Sequence, residues 1–246
     1  MRRLVIGDIH GEYNRMIDVL EKCGFDPKQD ELYSTGDFCD RGPKPVEVLD
    51  YLYALPRFFP VVGNHDLWLL RYLQKRISYD DYRLWIDCNY GDVTQRAVYA
   101  QSDEWKRAVI DRIESMPFVR RIDDTLIVHG GIGDYVREQM DSERFVNVPC
   151  RDLDHNAYLI LYEDVIWDRN MLYKALRLKT AERIFGCRVI VGHTPLKAPF
   201  VSDDGNLIAI DTASFVPSGC ITVMNIDTGE FWHSTAPAET MIFGTF

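Results

Sequence analysis

Apolar and polar positions near the start of the chain switch between two periods. Arg3–Ile6 (RLVI) is a short, mostly apolar run ending at a Gly-Asp pair, the pattern of a buried strand emptying into a loop. Tyr13–Cys23 then carries Met16, Ile17, Val19, Leu20 and Cys23 at close to helical spacing. The unit recurs. Glu31–Thr35 reads as a strand ending at Gly36-Asp37, and a helix follows Pro43 and Pro45 with Val46, Leu49, Leu52 and Tyr53 on one face; proline suits a first helical turn. Phe58–Val62 is a third strand, ending at Gly63-Asn64-His65-Asp66, and Leu67–Lys75 continues as helix. Strand, turn and helix repeated in this way predict right-handed βαβ units and a largely parallel sheet.

The pattern then changes. Residues 77–118 mix Trp85, Trp105 and several tyrosines with charges at helical or mixed spacing, which predicts a helical insertion. Thr125–Val128 (TLIV) is another buried strand, ending at His129-Gly130-Gly131. Residues 133–164 are polar and irregular, expected as loop and short helix lying over the site. A helix near Met171–Phe185 leads to the strand Arg188–Val191 and Gly192-His193-Thr194-Pro195. In the tail, Phe200–Ser202, Leu207–Asp211, Ile221–Asn225 and Glu230–His233 are strand-like, and the turn signals Asp203-Asp204-Gly205-Asn206 and Asp227-Thr228-Gly229 between them suit antiparallel hairpins. With no linker, repeat or low-complexity stretch, the expectation is a single α/β domain over residues 1–246.

Composition adds bounds rather than identity. A hydrophobic share of 46% and a charged share of 27% permit a sizeable core. The net charge of −10 argues against nucleic acid or an anionic membrane as partner, since phosphate backbones are bound by clustered Lys and Arg. No apolar stretch reaches the ~7–15 residues of a signal peptide or the ~20 of a membrane span. A soluble, cytoplasmic protein is expected, with its six scattered cysteines reduced and forming no CxxC pair.

The chemistry lies in where the His, Asp and Asn residues fall. Five times an apolar strand ends in a Gly-flanked loop holding a hard or borderline metal ligand: GDIHG, GDFCDRG, GNHD, VHGG and VGHT. Four of the 6 histidines lie in these loops, at the strand ends where sheets of this kind bind ligands. Asp8 and His10 are two apart, so their side chains leave one face of a strand end and can meet one ion. Asp37 suits a bridge between two ions, and Asn64, His129 and His193 would complete the second. Six N/O ligands without thiolate point to manganese first, with iron, zinc or magnesium as alternatives, and away from a closed structural zinc site. Two carboxylates against two divalent ions leave a cationic centre that a phosphate dianion fits. Each motif alone has a plainer reading as a turn or a helix cap; all five together do not.

These motifs resemble those of the calcineurin-like metallophosphoesterases, and in particular the phosphoprotein phosphatase branch. GDIHG is similar to that family's GDxHG, GDFCDRG to GDxxDRG, GNHD to GNHE, and VHGG and GHT to its two later histidine motifs, in the same order over residues 7–194. The segment from Val165 to Arg169 and the tail IDTASF look most like the compact bacterial and bacteriophage enzymes. The resemblance implies two stacked mixed β-sheets flanked by helices, a dinuclear centre at one edge, and activity on phosphoserine, phosphothreonine and often phosphotyrosine. Departures are Asp66 in place of Glu, Gly133-Asp134 in place of Ser-Pro, and no SAPNY-like segment.

Two ions ~3.5–4 Å apart would share a water, lower its pKa and clamp the attacking and leaving oxygens. A serine alkoxide leaves poorly, so a proton must reach it; His65 is the candidate acid and Asp40 the carboxylate that orients it. Arg41 supplies paired donors for phosphate oxygens, and Arg169, in an IW-x-R setting similar to that of the phage-type enzymes, a second clamp. The expected substrate is a phosphoprotein or a small phosphoester. An alternative is a symmetrical dinucleoside tetraphosphate hydrolase, whose GNHDLHLL stretch the segment Asp66-Leu67 with Leu69-Leu70 resembles; that branch tends to lack the Asp40 equivalent. A non-catalytic metal-bearing scaffold of this fold tends to lose the histidine present here as His65.

Overall fold

The computed structural model describes residues 1–240. Among the described residues, two five-stranded sheets form from ten short strands. In chain order the first half comprises β1 (Arg3–Ile6), α1 (Tyr13–Lys22), β2 (Glu31–Ser34), α2 (Pro45–Ala54), β3 (Phe58–Pro60), α3 (Asn64–Leu73), α4 (Tyr79–Arg83), a π-helical turn at Leu84–Cys88, α5 (Gly91–Tyr99) and α6 (Asp103–Glu114). The second half comprises β4 (Val119–Ile122), β5 (Thr125–Val128), α7 (Asp134–Gln139), α8 (His155–Leu161), a second π-helical turn at Tyr162–Ile166, α9 (Asn170–Leu178), β6 (Arg188–Val191), β7 (Phe200–Val201), β8 (Leu207–Ala209), β9 (Thr222–Asn225) and β10 (Phe231–His233). The sheet orders are β10-β9-β1-β2-β3 and β4-β5-β6-β8-β7. The βαβ crossovers make β1, β2 and β3 parallel, as expected, whereas β9 closes on β1 antiparallel. Both tail hairpins, β7–β8 and β9–β10, are antiparallel, but they join different sheets.

Strict alternation explains why the central strands read as continuous apolar runs. Leu4 and Ile6 of β1 face the helices, while Val5 faces the opposite sheet; Leu126, Val128 and Ile127 of β5 divide likewise, as do Val189, Val191 and Ile190 of β6. Both faces are buried, so both positions are apolar. The layer between the sheets holds Val5, Tyr33, Val61, Ile127, Ile190, Ile208, Ile210, Met224 and Ile226. Each fully buried isoleucine there contributes roughly 1.5–3 kcal/mol. The stack is the two-sheet arrangement that the motifs led us to expect.

Several boundaries differ from the pattern. Strand β4 falls where no strand is expected, because Arg120 and Arg121 break the apolar run; it is an edge strand whose Arg120 donates to the Pro60 carbonyl at 3.0 Å. Helix α3 begins at Asn64 rather than Leu67, since Asp66 in its first turn accepts the Gly63 N–H at 2.9 Å and caps the helix. Helix α9 stops at Leu178, where Lys179 turns left-handed (φ 63°). Helices α4 and α6 start at Ser78 and Ser102, whose hydroxyls accept from Asp81 and Trp105 N–H at 3.1 Å; such caps are worth about 1 kcal/mol each. Residues 133–164 hold short helices, and their backbone bonds run to Met116 and Val119. Among the described residues no helix is long and apolar enough to cross a membrane.

Candidate metal centre

Every predicted ligand leaves the carboxyl end of a strand. Asp8 and His10 follow β1, Asp37 follows β2, Asn64 opens α3 after β3, His129 follows β5 and His193 follows β6. Sharp turns are needed to bring these side chains inward, and His10, Asp37, Asp40, Arg41 and His193 all adopt left-handed φ of 49–70°. For non-glycine residues this conformation is strained and recurs at functional sites. The neighbouring glycines leave room: a Cβ on Gly63 would fall on the Asp37 carboxylate, and one on Gly192 on the Asp8 carboxylate.

Asp37 is the hub. Its Oδ2 lies 3.4 Å from His129 Nε2, 3.7 Å from His10 Nε2 and 3.9 Å from His65 Nε2. The other nitrogen of each ring is held from behind. His10 Nδ1 donates to the Cys39 carbonyl at 3.1 Å, His129 Nδ1 to the Thr35 carbonyl at 2.7 Å, and His65 Nδ1 pairs with Asp40 Oδ2 at 2.5 Å. Such backing fixes the tautomer that presents Nε2 to a metal or substrate. Asn64 Oδ1 is 2.9 Å from His129 Nε2, and His193 Nδ1 is 3.1 Å from it. Asp8 accepts the Thr35 hydroxyl at 2.8 Å and the His193 N–H at 2.9 Å, which ties the two strand ends together.

The donor atoms form two overlapping triads, His10–Asp37–His65 and Asp37–His129–His193, each with its atoms within 4.8 Å of one another. Sharing of Asp37 is the arrangement expected of a carboxylate between two cations. His65 stands in the first triad, whereas Asp8 stands one hydrogen bond behind the second, through the His193 N–H, although its spacing pairs it with His10. The donor set fits a hard or borderline cation. All donors are N or O, they are buried, and the buried Nε2 of His193 has no hydrogen-bond partner.

Charge follows the same geometry. Burial disfavours the Asp37 carboxylate, yet His129, His65 and His10 outweigh it and hold its pKa well below the usual value. Burial likewise opposes a charge on His129, but Asp37 and Asp8 raise it to about 9. His10 is pushed down by burial, Arg41 and His65, and His193 by burial, His129 and Arg169. Burial and Asp211 push Asp8 up.

Arg41 reaches the centre: its Nη1 and Nη2 donate to His10 Nε2 (2.6 Å) and His65 Nε2 (3.3 Å), and the guanidinium lies 4.1 Å over the Phe215 ring. Arg169 occupies the residue before α9, half-buried and close enough to weigh on His193. Four further residues belong to the site that motif reading did not single out. Asp211, after β8, is buried and its carboxyl is raised to about 6 by that burial. Phe215 meets His10 edge-on at 5.3 Å, and Trp167 meets His193 at 5.6 Å. Trp85, from the helical insertion, donates to Asp40 Oδ2 at 2.6 Å. Asp211 could have been found as one more acid at the end of an apolar strand. Nothing near Trp85 in the sequence announces its partner.

The sequence pattern of the calcineurin-like phosphoesterases matches residues 1–207. The chain belongs to this family. Within a 71-residue stretch this phosphoesterase is 45% identical to a symmetrical bis(5'-nucleosyl)-tetraphosphatase of Serratia proteamaculans (strain 568). That stretch is 28% of this chain and 25% of that protein, so the match spans about a quarter of the relative's length. Two solved structures share the phosphoesterase's fold. A candidate diadenosine tetraphosphatase superposes with a TM-score of 0.63 at 17% identity, over 96% of this chain and 93% of its own. A cold-active protein-tyrosine phosphatase of a psychrophilic Shewanella superposes with a TM-score of 0.61 at 19% identity, over 95% and 80%. At such identities the likeness is one of fold. The family is one of phosphoesterases, and the centre is the candidate for that chemistry.

Proposed function

We propose that this phosphoesterase is a phosphoprotein phosphatase, hydrolysing phosphoserine and phosphothreonine esters, and phosphotyrosine, in the cytoplasm with two divalent ions, manganese first. His10, Asp37, Asn64, His129 and His193, with Asp8, would hold the ions. When bound, such ions supply Lewis acidity and an ionised water at neutral pH. The reading has Arg41 exchange its bonds to His10 and His65 for phosphoryl oxygens, with Phe215 keeping the guanidinium in the site and Arg169 gripping from the His193 side. His65 passes a proton from Nε2 to the departing oxygen, while Asp40 steadies Nδ1.

The observation that carries the reading is the buried His65–Asp40 pair at 2.5 Å. A serine alkoxide is strongly basic and needs an oriented acid, whereas a nucleotide leaves as a phosphate whose second pKa is ≈ 6 and departs without one. An acid with a dedicated orienting carboxylate is therefore more useful on a phosphomonoester. A symmetrical dinucleoside tetraphosphate hydrolase is the second reading, favoured by the 45% identical stretch.

Phosphate release from a phosphoserine peptide and turnover of diadenosine tetraphosphate, run side by side with manganese, test the choice. The peptide is expected to give the higher kcat/KM. A value about tenfold higher on the dinucleotide, a difference of about 1.4 kcal/mol, would overturn it. Chelator should abolish both activities, with manganese restoring them best.

A further inference from the structure

The helical region between α3 and β4 reaches the proposed proton donor through one side chain. Trp85 is fully buried on the π-helical turn, packed 5.3 Å from the Tyr72 ring and 6.5 Å from the Tyr82 ring. Its indole N–H donates to Asp40 Oδ2 at 2.6 Å, the same oxygen that faces His65 Nδ1 at 2.5 Å. The other carboxylate oxygen, Asp40 Oδ1, is buried and has no partner. The orientation of this carboxylate thus rests on two donors to one oxygen, and one of the two is the imidazole it is meant to steady.

The same region holds the backbone beneath the pair. Asp40 N–H donates to Thr94 Oγ1 at 2.8 Å and Arg41 N–H to the Tyr90 carbonyl at 3.4 Å. Asp40 and Arg41 are consecutive left-handed residues, a conformation that persists only when its surroundings enforce it. Gly91 leaves space for the indole, because a Cβ there would fall on the Trp85 ring. A buried indole N–H needs some acceptor wherever it lies, so the bond alone would be compatible with simple packing. What argues for more is the shared oxygen. Without the indole, either Asp40 oxygen could face His65, and the ring would lose its fixed aim.

We infer that Trp85 is a positioning residue for the His65–Asp40 pair. The inference rests on the reading of His65 as proton donor, and it makes the helical insertion part of the catalytic apparatus rather than a peripheral addition. Trp85 acts only through orientation, so its loss should matter most where the proton matters most.

The test uses the full chain with two substitutions. Trp85→Phe removes the N–H and some volume. Replacement of Trp85 by β-(3-benzothienyl)alanine keeps the ring shape and puts sulfur in place of the N–H, so that a folding defect of the first variant does not decide the matter. With manganese restored, kcat on a phosphoserine peptide should fall at least about fivefold more than on para-nitrophenyl phosphate, whose leaving group needs no acid, with KM within about twofold. In chelator-treated, nitrogen-15 histidine-labelled protein, the His65 Nδ1–H resonance should move in both variants. An isostere that leaves both this resonance and the substrate ratio unchanged overturns the inference. His65→Asn run alongside separates the two ideas. Equal losses on both substrates for His65→Asn would remove the proton-donor reading, and the His65 resonance would still decide whether Trp85 positions the ring.

Discussion

Asp66 offers the sharpest test of how the fold holds the centre. Its carboxylate is fully buried and bonds backbone N–H groups of the loops that carry the site. Oδ2 accepts the N–H groups of Asp37 and Gly63, each at 2.9 Å, and Oδ1 accepts that of Phe38 at 3.1 Å. One side chain therefore joins the loop after β2, which carries the hub Asp37, to the start of α3, which carries Asn64 and His65. Asp66→Ala strands three buried N–H donors. Each costs about 1–3 kcal/mol, so a loss of roughly 3–6 kcal/mol is expected once some water enters the cavity. That is a large part of a margin that is typically 5–15 kcal/mol. Asp66→Asn should cost less, about 1–3 kcal/mol. Its carbonyl can serve two of the donors, its amide opposes the third, and the buried charge beside Asp37, which with burial raises the Asp66 carboxyl to about 7, is removed. Urea unfolding of the chelator-treated variants measures the stability cost, and manganese titration by calorimetry reads the centre. Weaker manganese binding should accompany the loss of stability, because the Asp37 backbone (φ 55°) needs enforcement. An Asp66→Ala protein within 1 kcal/mol of the parent and binding manganese as tightly would refute the reasoning.

Gly192→Ala puts a methyl group on the Asp8 carboxylate and 2.7 Å from Thr35 Oγ1; overpacking of ~1–3 kcal/mol should appear as manganese affinity at least about fivefold weaker in calorimetry, and unchanged affinity would count against this packing. Asp8→Ala and His193→Ala should each lower bound metal below two ions per chain, whereas His65→Asn should keep both and lose turnover; elemental analysis finding a lost equivalent in His65→Asn would move His65 from acid to ligand. Far from the site, Asp30 accepts Arg2 Nη2 at 2.6 Å, and although burial opposes its charge the Arg2 and backbone bonds hold its pKa at about 2. That lies below the unfolded value, so the stability it adds is present above pH ~4 and lost as pH falls through about 2. Asp30→Asn should therefore cost about 1–2 kcal/mol at pH 7, reduced by the exposed Arg2 end, and roughly half as much at pH 3; a gap in urea stability that stays constant from pH 7 to pH 3 would exclude this role.

The parts of the molecule most legible in the sequence are those where local and global demands agree. Strands β1, β2, β5 and β6 are buried on both faces, so their composition alone marks them, and their Gly-rich ends advertise the turn. Strand β4 escapes because an edge strand can carry Arg120 and Arg121, one of which rests its guanidinium 5.9 Å from the Phe59 ring. The pattern places the start of α3 too late because GNHD resembles a loop, although Asn64 and His65 occupy the first turn and gain direction from it. Among candidate site residues, those carried by a motif are legible in the sequence. Trp85 is not, since 45 positions separate it from Asp40 and only the packing of the helical insertion brings them together. Asp211 and Phe215 lie in IDTASF, where the resemblance marked the segment but no residue chemistry marked the role.

The site and the packing of the two sheets are one structure. Asp8, His10 and Asp37 come from the sheet of β1 and β2, while His129 and His193 come from the sheet of β5 and β6. The bonds that orient these candidate ligands cross between the sheets: His129 Nδ1 to the Thr35 carbonyl at 2.7 Å, and His193 N–H to Asp8 Oδ2 at 2.9 Å. Gly7 sits where a Cβ would strike the Ile210 carbonyl, so the strand ends approach at backbone distance just below the ligands. A gap opened between the sheets would therefore draw His129 and His193 away from Asp37, the group both triads share. Close-packed interiors transmit such shifts rather than absorb them. The strained residues of the centre are held in place by nine apolar side chains between the sheets as much as by their own hydrogen bonds. This accounts for a candidate centre made of left-handed turns that can still be rigid: the turns contribute direction, and the sheet interface beneath them fixes distance.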